Sequence, residues 1–158
     1  MLTLTQECLV NNRKEWEEAG YALPQYDRIE MARETARNPK WIHFGAGNIF
    51  RAFQANLMQK LLNDGDEKAG LVAVDGFDFE IILKTASIEK TVIGSIGASL
   101  IMDREYAEDF RILESMFRNP SLQMVSFTIT EKGYSLTDAK GEWPLSRSAC
   151  AASVSDSS

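Results

Sequence analysis

The sequence predicts an α/β domain: a partial Rossmann-type (doubly wound) dinucleotide-binding sheet preceded by an amino-terminal helical extension. Three observations predict it. A short apolar run, Trp41-Ile42-His43-Phe44, stops at the glycine turn Gly45-Ala46-Gly47. Phe50, Phe53, Leu57, Leu61 and Leu62 then recur at helical spacing. A second apolar run, Leu71-Val72-Ala73-Val74, ends at Asp75-Gly76. Strand, turn, helix, strand is one βαβ unit, and its crossover makes the two strands parallel.

The first forty residues read as helical. A short helix closes near Ala19, before Gly20 and Pro24 punctuate the chain. Asp27 caps a helix from Arg28, with Glu30 placed as in a capping box, and Ile29, Met31 and Ala32 give it a modest apolar face. Asn38-Pro39 ends it, because the residue before proline is driven out of helical geometry. The run at 41–44 is continuously apolar, as a strand buried on both faces is. The helix after the glycines fades at Asn63-Asp64-Gly65. Further on, Ile81-Ile82-Leu83, Thr91-Val92-Ile93 and Ser99-Leu100-Ile101 are strand-like, with a hairpin turning near Ser87-Glu89. Asp103 caps a third clear helix whose Tyr106, Phe110, Leu113 and Phe117 share a face, and Asn119-Pro120 stops it. A last strand, Met124 to Ile129, leads into Thr130-Glu131-Lys132-Gly133-Tyr134. From Pro144 the residues are small and aperiodic, which predicts disorder. The expected organisation is an extension over 1–40, an incomplete dinucleotide-binding domain over 41–143 and a tail over 144–158.

Composition narrows the function. A formal net charge of −6, with Lys and Arg scattered among acids, argues against a nucleic-acid partner. No apolar run approaches the roughly 18 residues that a membrane span needs. The start has no basic region followed by an apolar one, so a cytoplasmic protein is expected. Cys8 and Cys150 have no His or Cys at metal-ligand spacing and read as reduced thiols, with no metal site.

The turn carries the chemistry. A dinucleotide fold needs a residue without a side chain at the tight bend, supplied by Gly45, and another where backbone approaches the pyrophosphate, supplied by Gly47. The helix entered through Asn48, Ile49 and Phe50 then offers free N–H groups and its positive dipole end to phosphates. Phe50 stands where a third small residue is usual, so helix and strand are expected to sit further apart there. Asp75, followed by Gly76, closes the second strand, where an acid hydrogen-bonds the adenosine ribose and repels a 2′-phosphate, favouring NAD. The competing reading of Gly45-Ala46-Gly47 is a structural turn without a ligand, and that of Asp75 a strand-end turn residue.

The segment Trp41-Ile42-His43-Phe44-Gly45-Ala46-Gly47-Asn48-Ile49-Phe50-Arg51-Ala52-Phe53-Gln54-Ala55 resembles the opening of the mannitol dehydrogenase family, the long-chain polyol-specific dehydrogenases. Mannitol 2-dehydrogenase and fructuronate reductase are members. Thr128-Ile129-Thr130-Glu131-Lys132-Gly133-Tyr134 is similar to the family's second signature, and the resemblance places Thr130 and Glu131 beside the cofactor. The resemblance runs from about residue 10 to 143. It implies NAD as cofactor and hydride transfer between nicotinamide and a secondary alcohol of a polyol or sugar acid. It also implies a catalytic lysine in a helical carboxy-terminal domain absent here. Phe50 and Phe53 stand where many members have histidines. The connection between Ile82 and Lys84 is shorter than in the family, and the chain veers into a Ser/Ala tail after Trp143. A frameshifted or prematurely ended reading frame would look like this.

No catalytic residue is assigned. Lys132 reads as structural or as a neighbour of the cofactor. His43, the one histidine, reads as a hydrogen-bonded core residue rather than a proton carrier. The serines lack a base partner. The reading is thus an NAD-binding part of a dehydrogenase without turnover of its own. Two alternatives stay open: a non-catalytic NAD-binding module, and a structural remnant that self-associates through exposed apolar surface.

Overall fold

The computed structural model describes residues 5–76, 86–88, 91–103 and 105–128. These lie in a compact unit, Met1–Thr128; Ile129–Ser158 make up a second unit, none of whose residues is described. Ile81-Ile82-Leu83, Glu89, Lys132, the second signature from Ile129 onward, Cys150 and the tail from Pro144 therefore lie outside the described residues.

The core is a parallel sheet. Strands β1 (Trp41–Phe44), β2 (Leu71–Asp75), β5 (Ile96–Ile101) and β6 (Met124–Phe127) are arranged β5-β2-β1-β6, and each neighbouring pair is parallel. The chain steps outward from β1 to β2 to β5, then returns across the sheet to lay β6 on the other side of β1. That reversal is the switch point of a doubly wound sheet, and ligands bind such sheets outside the carboxyl ends of the strands flanking it. The short strands β3 (Ala86–Ile88) and β4 (Thr91–Ile93) pair antiparallel apart from this sheet, so Ser87 belongs to a strand and not to a turn.

Strand alternation divides the core in two. Trp41, Leu71 and Ala73 pack with Met31, Phe50, Met58, Leu62 and Ile93 on one face; Ile42, Val72 and Val74 pack with Leu100, Leu113 and Met116 on the other. Both faces are covered, which is why β1 and β2 read as unbroken apolar runs.

The extension forms α1 (Gln6–Asn11), α2 (Arg13–Glu18) and α3 (Arg28–Arg37). Asp27 caps α3 as the sequence predicts, accepting from the N–H groups of Ile29 and Glu30. Its buried face is Met31 and Thr35, however, and Ile29 is exposed. Thr35 takes that place because its hydroxyl accepts from the Gly70 N–H at 2.7 Å and donates to the Met31 carbonyl at 2.8 Å, leaving no orphan group.

The helix after the glycines is α4 (Asn48–Phe50), a π-helical stretch over Arg51–Ala55, and α5 (Asn56–Asp64), capped by Gly65 at φ +79°. The wider π turn adds a residue to the repeat and rotates the remainder of the helix about its axis. The buried set is thus Phe50, Ala55, Met58, Gln59 and Leu62, whereas Phe53 and Leu57 of the predicted face point outward, 70% and 52% exposed.

Helix α6 (Ala107–Phe117) also differs from its predicted face. Leu113 and Met116 are buried, while Tyr106, Phe110 and Phe117 are each nearly half exposed. The cause is Asp109, whose carboxylate accepts from the Ile101 N–H at 2.8 Å and turns positions 109, 113 and 116 toward the sheet. Asp103 does not cap this helix. Its side chain accepts from the Glu105 N–H, and Tyr106 occupies the cap position.

Candidate functional site

The predicted residues Gly45, Ala46, Gly47, Asn48, Ile49, Phe50, Asp75 and Gly76 come together at the carboxyl ends of β1 and β2, where the loop after β1 enters α4. Thr130 and Glu131 lie outside the described residues.

Gly45 is required twice. Its φ is +101°, a region that side-chain-bearing residues rarely adopt, and a Cβ there would stand 2.9 Å from the Thr128 carbonyl oxygen. Its N–H donates to the Val74 carbonyl at 2.8 Å, and Thr128 N–H donates to the Phe44 carbonyl at 2.9 Å. The turn is therefore clamped between the ends of β2 and β6.

Gly47 differs. Its φ is an ordinary −71°, and a Cβ added there would meet no atom of the described residues within 4 Å. Neither its backbone angle nor packing by the described residues demands a glycine at this position. Gly47 is the N-cap of α4 and makes no side-chain cap to its first amides. At Gly76 an added Cβ would make only ordinary contact, 3.5 Å from the Met102 carbonyl oxygen.

The Asp75 carboxylate reaches back to the turn, where Oδ2 accepts from the Ala46 N–H at 3.0 Å. It thereby fixes the turn from the end of β2.

Phe50 fills the gap between helix and strand that the missing small residue predicts. It is fully buried and stacks on His43, with ring centroids 4.5 Å apart. Beyond it, Ser95, also fully buried, donates its hydroxyl proton to the Ala55 carbonyl at 2.6 Å, at the end of the π-helical stretch.

His43 is fully buried, and both ring nitrogens have partners: Nδ1 lies 2.7 Å from Ser126 Oγ, and Nε2 lies 2.8 Å from Thr128 Oγ1. Burial holds its pKa below the usual histidine value, with the Gly45 backbone acting in the other direction. Burial likewise lowers the Arg51 guanidinium. Ser126 and Thr128 escaped notice as partners of His43. The signal was available: Ser126 on β6 and Thr128 just beyond its end sit two apart, as Trp41 and His43 do on β1, so parallel pairing puts all four on one face.

A turn whose N-cap lends its amides no side chain, with no described atom over one glycine and a carboxylate at the neighbouring strand end, can hold a pyrophosphate and the ribose beside it. Among the described residues, no helix is long and apolar enough to cross a membrane.

No family model matches the chain. It is 38% identical over 148 residues to a D-mannonate oxidoreductase of Thermotoga maritima, an alignment that covers 84% of this chain and 27% of that protein. A polyol:NADP oxidoreductase of Gluconobacter oxydans is 28% identical over 135 residues, covering 73% of this chain and 27% of its own length. In fold, the chain is similar to the crystal structure of a D-sorbitol dehydrogenase in substrate-free form. The TM-score is 0.57 at 25% identity, over 85% of this chain and 29% of the other. The chain thus spans little more than a quarter of the length of the proteins it matches.

Proposed function

With the chain a relative of the mannitol dehydrogenase family, we propose that it is the amino-terminal, nicotinamide-dinucleotide-binding portion of an oxidoreductase. The observation that carries this reading is Gly47, a glycine that neither φ nor packing among the described residues requires, at the switch point of a parallel sheet. A ligand approaching the backbone supplies the missing reason for a residue without a side chain. Gly45, Ala46, Gly47, Asn48, Ile49 and Phe50 then form the pyrophosphate turn, with Asp75 and Gly76 at the ribose and Thr130 and Glu131 further along the cofactor.

NAD is the cofactor we infer, because an acid at the end of β2 repels a 2′-phosphate. The polyol:NADP relative makes the opposite preference the competing outcome. When bound, the nicotinamide supplies the hydride chemistry on a polyol or sugar acid such as mannitol or mannonate. The residues of this chain bind and orient it, and none is given a proton to move. Turnover needs a catalytic lysine on a further domain, so this chain by itself is inactive in our reading. A cytoplasmic setting, in which Cys8 and Cys150 stay reduced, belongs to the same reading.

Calorimetric titration of the folded chain with NAD and NADP tests this, alongside Gly47→Val. Saturable NAD binding that the variant abolishes supports the reading; failure of both cofactors to bind would sink it. Self-association is the second reading, favoured by Phe53, Phe110 and Phe127, which are 70%, 48% and 60% exposed. Sedimentation velocity over a range of concentrations decides it.

A further inference from the structure

Trp41, Ser126, His43 and Thr128 form a row on one face of the sheet, along β1, β6 and the residue after β6, and one direction of donation along it places the proton of every group but the last. The indole of Trp41 can only donate, and its Nε1–H lies 2.7 Å from Ser126 Oγ. Ser126 therefore accepts there and has its own proton still to place. Among the described residues its one other partner is His43 Nδ1 at 2.7 Å, and donation of that proton to Nδ1 leaves the nitrogen bare. A neutral imidazole with a bare Nδ1 carries its proton on Nε2, and Nε2–H donates to Thr128 Oγ1 at 2.8 Å. Burial, which holds the ring neutral, agrees with this. Thr128 Oγ1 thus accepts from His43, and its own hydroxyl proton has no acceptor among the described residues.

The position of that proton gives it a use. Thr128 directly follows β6, is only half-buried, and lies against Gly45, where the sheet reverses direction. We propose that the Thr128 hydroxyl donates a hydrogen bond to an acceptor oxygen of the bound dinucleotide where the ligand crosses from β1 to β6, with Trp41, Ser126 and His43 as positioning residues that fix its direction. The proposal rests on the dinucleotide reading above. With one lone pair engaged by the imidazole N–H and its own proton unplaced among the described residues, the hydroxyl favours a ligand oxygen that accepts over a donor group.

The chain has a single histidine, so imidazole 15N spectra report on this ring alone. The expected result is a protonated Nε2 and a bare Nδ1 in the free protein, with the Nε2 resonance shifting as NAD saturates the chain. The opposite tautomer, or an Nε2 signal unmoved at saturation, overturns the proposal without recourse to any variant. By calorimetry, Thr128→Val should weaken NAD binding roughly 3- to 10-fold, the range of one lost hydrogen bond, and Thr128→Ser should restore it. Equal affinity of wild type and Thr128→Val overturns this inference alone. If the folded wild type binds no dinucleotide, the reading beneath it falls as well.

Discussion

Phe50 lies flat on the imidazole of His43, the two rings 4.5 Å apart at their centroids and 11° from parallel. One residue comes from the helix after the turn and the other from the strand before it, so this stack sets the distance between them.

Replacing Phe50 by Ala should therefore destabilise the protein by about 3–5 kcal/mol, the usual cost of emptying a buried aromatic site. Phe53→Ala, three residues on and exposed, should change stability by no more than about 0.5 kcal/mol. Urea unfolding of the two variants checks the pair. Equal losses would mean that the π-helical stretch does not set the register of this helix.

Gly45→Ala should lose stability by about 2 kcal/mol or more, since it combines an unfavourable φ with a 2.9 Å approach to the Thr128 carbonyl oxygen. Gly47→Ala should leave the unfolding midpoint unchanged. The measurement is again urea unfolding, and the contrast separates a glycine required by the fold from one the fold does not need.

Ser95→Ala removes the hydroxyl that caps the Ala55 carbonyl. A buried carbonyl left without its partner costs about 1–3 kcal/mol. Amide hydrogen exchange should show the loss concentrated over 51–59, where the π turn hands over to α5.

Burial lowers the native pKa of His43 below its unfolded value of about 6.5. The unfolded chain then takes up the proton first as the solution is acidified. The contribution of neutral His43 is fully present above about pH 6.5 and is lost as pH falls through that value toward the native pKa. Urea midpoints should fall on acidification over this window, and the His43→Gln variant should lack that part of the slope.

How much of this was legible in the sequence depends on which force decides each feature. The strands at 41–44 and 71–75 were readable because burial on both faces writes an unbroken apolar run, and the cap at Asp27 because one side chain meets two local N–H groups. The buried faces of the helices were not. Ile29, Phe53, Leu57 and Phe110 obey helical spacing and yet face outward, because register was decided elsewhere. For Phe53 and Leu57 the cause is a π turn, and for Phe110 a bond from Asp109 to a strand. Apolar periodicity carries no record of such polar or backbone events. The glycine turn was legible in outline, although the distinct reasons for Gly45 and Gly47 appear only when neighbours can be placed around each.

Gln59 gives the amino-terminal helices a standing that their sequence conceals. Its buried Oε1 accepts from the Tyr26 hydroxyl at 2.7 Å and the Gly94 N–H at 3.0 Å, and its Nε2 donates to the Val92 carbonyl at 3.2 Å. One amide on the helix behind the turn thus joins the extension to β4 and the glycine that follows it. A chain begun at Trp41 would strip Tyr26 from that amide, and by removing Met31 it would uncover that residue's apolar neighbours at once. The first forty residues are a wall of the building, and shortening the protein to its sheet would take that wall down.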